Sequence, residues 1–214
     1  MNSFEPIKLE NVKEVEKYLL ASNERFCDFT PFVALMWQKM YKTEYTLSDS
    51  VLYLRYFIDG KYYYSVISDS ILSHLDTLKS FPDFDSVTLV GEKGLGEFKE
   101  SGIPFEYTYD EGSSDYIYLH ENLAELKGKR YAGQRNHINK FEESHADWKY
   151  EKITCDNVSH VKDFFEKICL KNGVATHDFE AEMVKNYLES YRDFETLGGF
   201  VTAGGKVVSF AFGE

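Results

Sequence analysis

Ile7-Lys8-Leu9-Glu10-Asn11-Val12-Lys13-Glu14-Val15 returns, 146 residues further on, as Ile153-Thr154-Cys155-Asp156-Asn157-Val158-Ser159-His160-Val161. Ile, Asn and both Val residues are identical at matching places, and Tyr18-Leu19 then faces Phe164-Phe165. Amphipathic helices resemble one another by chance, so a second landmark matters. Asp59-Gly60-Lys61 and Gly204-Gly205-Lys206 supply one, at an offset of 145. Two matches at nearly one offset, with the same order of elements around them, predict an internal duplication.

Working outward, residues 11–20 carry Val12, Val15, Leu19 and Leu20 on one helical face. Thr30-Pro31 opens a second helix to about Tyr41, with Pro at its first position. Residues 51–58 and 61–67 read as a hairpin about Asp59-Gly60, a strong turn signal between aromatic and β-branched runs. Ser70 opens a helix with Ile71, Leu72, Leu75 and Leu78 inward. A buried strand at 87–90, a helix at 92–101 and strands at 105–109 and 116–119 complete this half. The second half repeats the opening: a strand at 148–154, helices at 158–171 and 179–191, and strands at 196–202 and 206–212.

The fold class expected is α+β, with a first unit at 1–120, a basic linker helix at 121–147 and a second unit at 148–214. A second copy as long as the first would reach roughly residue 265. The strand after Lys206 would leave an unpaired sheet edge. The 214 residues are therefore expected to be part of a longer chain, and turnover by them alone is not expected.

Composition narrows the class. An apolar share of 43% and an aromatic share of 16%, with 16 Tyr and 17 Phe, suffice for a packed core. No apolar run approaches the ~18 residues of a membrane span, so no stable membrane insertion is expected. Met1-Asn2-Ser3-Phe4-Glu5 has neither a basic region nor an apolar core, so it does not read as a secretory signal. Cys27, Cys155 and Cys169 lack paired spacing and fit buried free thiols in a reducing cytoplasm, the expected location.

The chain carries a formal net charge of −12 and a pI near 5.0, yet Lys127, Lys129, Arg130, Arg135 and Lys140 occur together without an acid between them. Such a site on an acidic body points to an anionic ligand, and a solvated helix face is the plain alternative. A helix from about Tyr131 to Glu143 would put Tyr131, Gln134, Ile138 and Phe141 on a face that packs on a sheet. Lys129 and Arg130 fall near its start, with Arg135, Asn136 and Asn139 flanking the packed face. An Arg fork and free helix-start amides together suit phosphate. The structural alternative is that Arg135 and Asn136 tie the helix down by hydrogen bonds.

With Asp115-Tyr116-Ile117-Tyr118, Leu126-Lys127-Gly128-Lys129 and Arg135-Asn136-His137-Ile138-Asn139-Lys140-Phe141, the chain resembles a bacterial family of uncharacterised tandem GNAT-like proteins. That family is related to the C-terminal domain of phosphatidylglycerol lysyltransferase. The resemblance implies two GNAT-like (acyl-CoA N-acyltransferase-like) units, the second incomplete. It also implies an acyl- or aminoacyl-transferase whose donor is aminoacyl-tRNA or acyl-CoA. The rival reading is a non-catalytic module that binds RNA, such as tRNA, or a phosphate-bearing metabolite through the same residues. Lys129, Arg130, Arg135, Asn136 and Asn139 are the candidate anion-binding set in either case. No catalytic residue, certain cofactor or oligomeric state follows.

Other motifs weigh less. Gly91-Glu92-Lys93-Gly94-Leu95-Gly96 looks like a phosphate-cradling turn, but it follows the later strand and lacks the Arg or Gln of the GNAT pattern. After the central strand stands Ile67-Ser68-Asp69-Ser70, with no glycine. A plain strand-to-helix turn is the better reading. The histidines have no metal spacing, so no metal site is expected. His177-Asp178 reads as a helix cap before a general base. Tyr62-Tyr63-Tyr64 reads as strand packing before base stacking. Glu214 stands where GNAT enzymes often hold a carboxylate.

Overall fold

The computed structural model describes residues 3–22, 24, 26–173, 178–191 and 197–213. The chain folds as two compact units, Met1–Gly112 and Ser113–Glu214, each combining helices with a sheet. The class is α+β.

In the first unit β1 (Glu5–Pro6) leads into α1 (Val12–Leu20), whose Val12, Val15 and Leu19 are buried. The next helix does not run unbroken to Tyr41. It divides at Trp37 (φ −91°, ψ 4°) into α2 (Pro31–Met36) and α3 (Gln38–Tyr41), because Trp37 leaves helical geometry. Thr30 caps α2, its hydroxyl accepting from Val33 N at 3.4 Å. There follow β2 (Glu44–Ser48), β3 (Val51–Ile58), β4 (Lys61–Ile67), α4 (Leu75–Ser80), β5 (Phe84–Val87) and α5 (Glu92–Ser101). The sheet order is β1-β2-β3-β4-β5, antiparallel except for the parallel β4–β5 pair.

Alternation along β3 and β4 loads both faces of this sheet. Leu52, Leu54 and Tyr56 pack with α1 and with Phe29 and Ala34. Tyr53, Tyr64 and Val66 pack on the other face with Leu78, Phe81 and Phe84. Tyr64 is fully buried and donates to Pro82 O at 2.6 Å, so the tyrosine run serves packing. Arg55 lies between the Phe4 and Tyr62 rings at 4.4 and 4.5 Å and pairs with Glu44 at 2.6 Å.

Three expectations need correction. The later strand ends at Val87 instead of beginning there, because the chain turns immediately, with Leu89 at φ 54°. Residues 105–109 and 116–119 have no regular secondary structure and pair with no strand among the described residues. β-propensity alone cannot make a strand without a neighbour to hydrogen-bond. Cys27 and Cys155 are exposed, not buried.

The second unit contains α6 (His120–Glu125), α7 (Ala132–Ser144), β6 (Lys149–Lys152), α8 (Val158–Asn172), α9 (Phe179–Glu189), β7 (Leu197–Ala203) and β8 (Lys206–Gly213). Its sheet is antiparallel in the order β6-β7-β8. Ile153, Val161, Tyr187, Leu188 and Phe200 are buried. Phe164 and Phe165 meet Phe210 edge-on, and Tyr187 stacks on Phe212 at 3.9 Å.

The two units repeat a local structure in detail. Asn11 Oδ1 accepts from Lys8 N at 2.7 Å and its Nδ2 donates to Pro6 O at 3.0 Å. Asn157 does the same with Thr154 N and Lys152 O, at 2.7 and 3.0 Å. Ile7 N donates to Thr43 O and Ile153 N to Gly198 O. Each opening strand then pairs antiparallel with the first strand of a hairpin, Glu5 opposite Tyr45 and Glu151 opposite Phe200.

That register corrects the turn match. Gly204-Gly205, between β7 and β8, corresponds to Asp49-Ser50 between β2 and β3, not to Asp59-Gly60 between β3 and β4. All four corresponding turn residues have positive φ: 50° and 63° in the first unit, 57° and 70° in the second. Two-residue turns of this kind recur in hairpins generally, so a shared Gly-Lys could not tell one hairpin from the next.

Candidate functional site

The basic stretch lies in the second unit, from the end of α6 into α7. Leu126 takes a left-handed conformation (φ 48°) at the end of α6, and Gly128 follows at φ 88°. This turn leaves carbonyls without helical partners. Arg135 reaches back from α7 to supply them, its Nη1 donating to Leu126 O and, at 2.9 Å, to Gly128 O. Arg130 lies over the Tyr131 ring at 5.4 Å, and Lys127 pairs with Glu125 at 2.5 Å. Lys129, Asn136, Asn139 and Lys140 are exposed and make no side-chain hydrogen bond or ion pair among the described residues.

The expected packing face of α7 is only partly covered. Tyr131 is buried, but Gln134 is exposed and Ile138 is 45% exposed. Phe141 stacks on His145 at 4.7 Å instead of entering a sheet face. Helical spacing identifies a face; it does not say whether another element lies against it.

A second feature escaped sequence reasoning. Between α8 and the sheet of the same unit is an open cleft of about 740 Å³. Lys149, Lys167 and Lys206 enter it from three elements, Glu151 and Asp163 line it with them, and Phe200 contributes apolar wall. None of the three lysines has an ion pair among the described residues. Asp147, at the same cleft, accepts from Gly204 N at 2.7 Å and so holds the β7–β8 turn. These lysines are far apart in sequence, and the register of β6–β8 together with the packing of α8 brings them together.

In the first unit, the places where a phosphate would seek backbone amides are already occupied. Ser70 Oγ donates to Glu97 Oε2 at 2.9 Å, and Leu72 N donates to the same oxygen at 3.5 Å. Lys93 Nζ donates to Asp69 O at 2.6 Å. At the start of α5 the Glu24 carboxylate lies against Gly91, where an added Cβ would collide with it. Gly94 is buried, and a Cβ there would stand 2.7 Å from Ile71 Cδ1. Gly91 and Gly94 are thus explained by an internal carboxylate and by packing, in a plain turn. Ser65 Oγ also donates to Thr88 O at 2.9 Å, joining β4 to the chain beyond β5.

The remaining candidates divide plainly. Asp178 caps α9, accepting from Ala181 N at 3.1 Å, while His177 and Glu214 lie outside the described residues. His74 is held by the Tyr53 hydroxyl at 2.9 Å. Among the described residues no cluster of His, Cys, Asp and Glu could hold a metal ion.

Residues 86–214, more than half of the chain, match the family model described as phosphatidylglycerol lysyltransferase, C-terminal. The chain belongs to this family. The matched residues include the whole basic stretch and the whole second unit. A crystal structure from Bacteroides thetaiotaomicron VPI-5482, described as a conserved protein of unknown function, is similar over 99% of this chain and 75% of its own, with 25% sequence identity and a TM-score of 0.88. No curated protein matches the chain. No helix among the described residues is long and apolar enough to cross a membrane.

Proposed function

We propose that this member of the phosphatidylglycerol lysyltransferase C-terminal family is a cytoplasmic acyl- or aminoacyl-transferase built from two GNAT-like units. Its donor is aminoacyl-tRNA or acyl-CoA. The observation that carries this reading is the family match over residues 86–214. The donor's phosphates are assigned to the second unit, where Lys129, Arg130, Asn136 and Asn139 are exposed. In the first unit Glu24 and Glu97 already stand at the corresponding backbone positions. Arg135 acts in this scheme by shaping the turn that presents Lys129 and Arg130.

Donor binding tests the proposal directly. Titration with charged tRNA and with acyl-CoA should show saturable binding of one of them. The double variant Lys129→Ala, Arg130→Ala should weaken it by roughly tenfold or more, since phosphate contacts carry much of such affinity. Arg135→Ala should instead lower thermal stability, because it removes two hydrogen bonds that hold the turn. Absence of binding by either donor, or binding indifferent to the double variant, would sink the proposal. Equal affinity for charged and uncharged tRNA would favour the non-catalytic reading, which the exposed position of the cations also suits.

A further inference from the structure

The cleft between α8 and its sheet takes no part in the donor scheme. Lys149 on β6, Lys167 on α8 and Lys206 on β8 enter it, with Glu151 and Asp163 beside them and Phe164 and Phe200 as apolar wall. Its volume of about 740 Å³ suits a small organic molecule. Its walls on β6 and β7 correspond to β1 and β2, which β3 separates from β4 and β5 in the first sheet. Those walls stand away from the side of β8 on which the first unit places its next strand.

The duplicated framework shows what is particular to this place. The shared Asn geometry aligns Lys149 and Lys167 with Ser3 and Ala21 of the first unit. The shared turn aligns Lys206 with Val51 and Thr202 with Leu47. Leu47 and Tyr18 pack on the first core, whereas their counterparts Thr202 and Phe164 line the cleft. Asp163 stands where the first unit has Lys17. One copy thus fills the place with apolar side chains. The other opens it and brings in cations from three elements, on a chain of net charge −12. None of these lysines has an ion pair among the described residues, so their charge is available to a ligand.

We propose that this cleft binds a small sugar phosphate, at a site separate from Lys129 and Arg130. The three ammonium groups take the phosphate oxygens. Glu151 and Asp163 repel a bare polyanion but accept hydrogen bonds from sugar hydroxyls. Asp147 is already committed to Gly204 N. Phe164 and Phe200 give the apolar face of the sugar ring a surface to pack on. A ligand with one anionic and one hydroxylated end satisfies both sets of charges; an inorganic anion satisfies one.

Calorimetric titration of the 214-residue chain with glucose 6-phosphate and ribose 5-phosphate tests the proposal, with glucose and inorganic phosphate alongside. At least one sugar phosphate should bind saturably, and more tightly than glucose or inorganic phosphate. Lys149→Gln, Lys167→Gln and Lys206→Gln alter exposed positions, and thermal melts verify that each variant folds. Each should weaken the sugar phosphate by about tenfold, as the loss of one charged hydrogen bond does. Asp163→Ala should narrow the preference for sugar phosphate over inorganic phosphate. No saturable binding of either sugar phosphate overturns the proposal. So does inorganic phosphate binding equally well, which means an adventitious ion only, or a preference untouched by Asp163→Ala. Binding that survives all three lysine variants but is lost in Lys129→Ala, Arg130→Ala also overturns it, by placing the anion at the α6–α7 turn. The donor titrations are read separately, so failure here leaves the proposed transferase standing.

Discussion

Asn11 and Asn157 each bind an amide on one side and a carbonyl on the other, and so fasten a strand end to the helix that follows. The first helical carbonyl is already that of Lys8 or Thr154, which accepts from Val12 N or Val158 N at 2.8 and 2.9 Å. Each Asn stands just before its helix and reaches back three residues to the amide of Lys8 or Thr154, much as the third residue of a capping box does. Replacing either with Ala removes two local hydrogen bonds and should cost about 1 kcal/mol, within the range for lost caps. Urea unfolding of N11A and N157A should show similar losses, and the double variant should lose their sum. Marked inequality would mean that the shared geometry is not shared energetics. These residues were legible because identity at matched positions reports a common task. Arg135 was not, since a cation in sequence shows its charge but not whether a ligand or a neighbouring carbonyl will receive its hydrogen bonds.

At the scale of elements, α5 separates packing from backbone cost. Gly96 has nothing within 4 Å of an added Cβ, whereas one at Gly94 would stand 2.7 Å from Ile71 Cδ1 and 3.0 Å from Val90 Cγ1. Gly96→Ala should therefore stabilise the protein by about 0.5–1 kcal/mol, the ordinary gain of Ala over Gly in a helix. Gly94→Ala gains the same backbone term but must displace Ile71, so it should be the less stable of the two variants. Chemical denaturation of both decides this. If Gly94→Ala proves as stable as Gly96→Ala, close packing does not explain the glycine. The helices and hairpins were readable from periodicity and turn residues, because both signals are local. β2 was not read, because its turn to β3 uses Asp49-Ser50 without glycine. The strands expected at 105–109 and 116–119 failed for the converse reason: their composition is right, but pairing is not a local property. The cleft lined by Lys149, Lys167 and Lys206 likewise depends on non-local strand register and on the packing of α8.

Across the whole molecule, buried phenols are unequally shared between the units, and this sets a direction for alkaline unfolding. Tyr41, Tyr45, Tyr53, Tyr56 and Tyr64 in the first unit, and Tyr191 in the second, all have their pKa raised, in each case chiefly by burial. Tyr45 is pushed up to about 12, and after burial the nearby Glu14, to which its hydroxyl donates, contributes most. Below the ordinary value of 10.0 these phenols are protonated whether the chain is folded or not, so their favourable contribution is fully present. Above it the unfolded chain ionises while the folded one resists, and the contribution is lost as pH climbs toward the folded value. Each such group can remove up to about 1.4 kcal/mol per pH unit in that window. Urea midpoints should therefore hold steady on this account up to about pH 10 and fall steeply beyond it. Tyr45→Phe, which cannot ionise, should fall less steeply. Because five of the raised phenols named above belong to the first unit and one to the second, hydrogen exchange above pH 10 should show β2–β4 losing protection before β6–β8, once intrinsic exchange is corrected for. Loss of protection first in the second unit would show that some other group governs the alkaline limit.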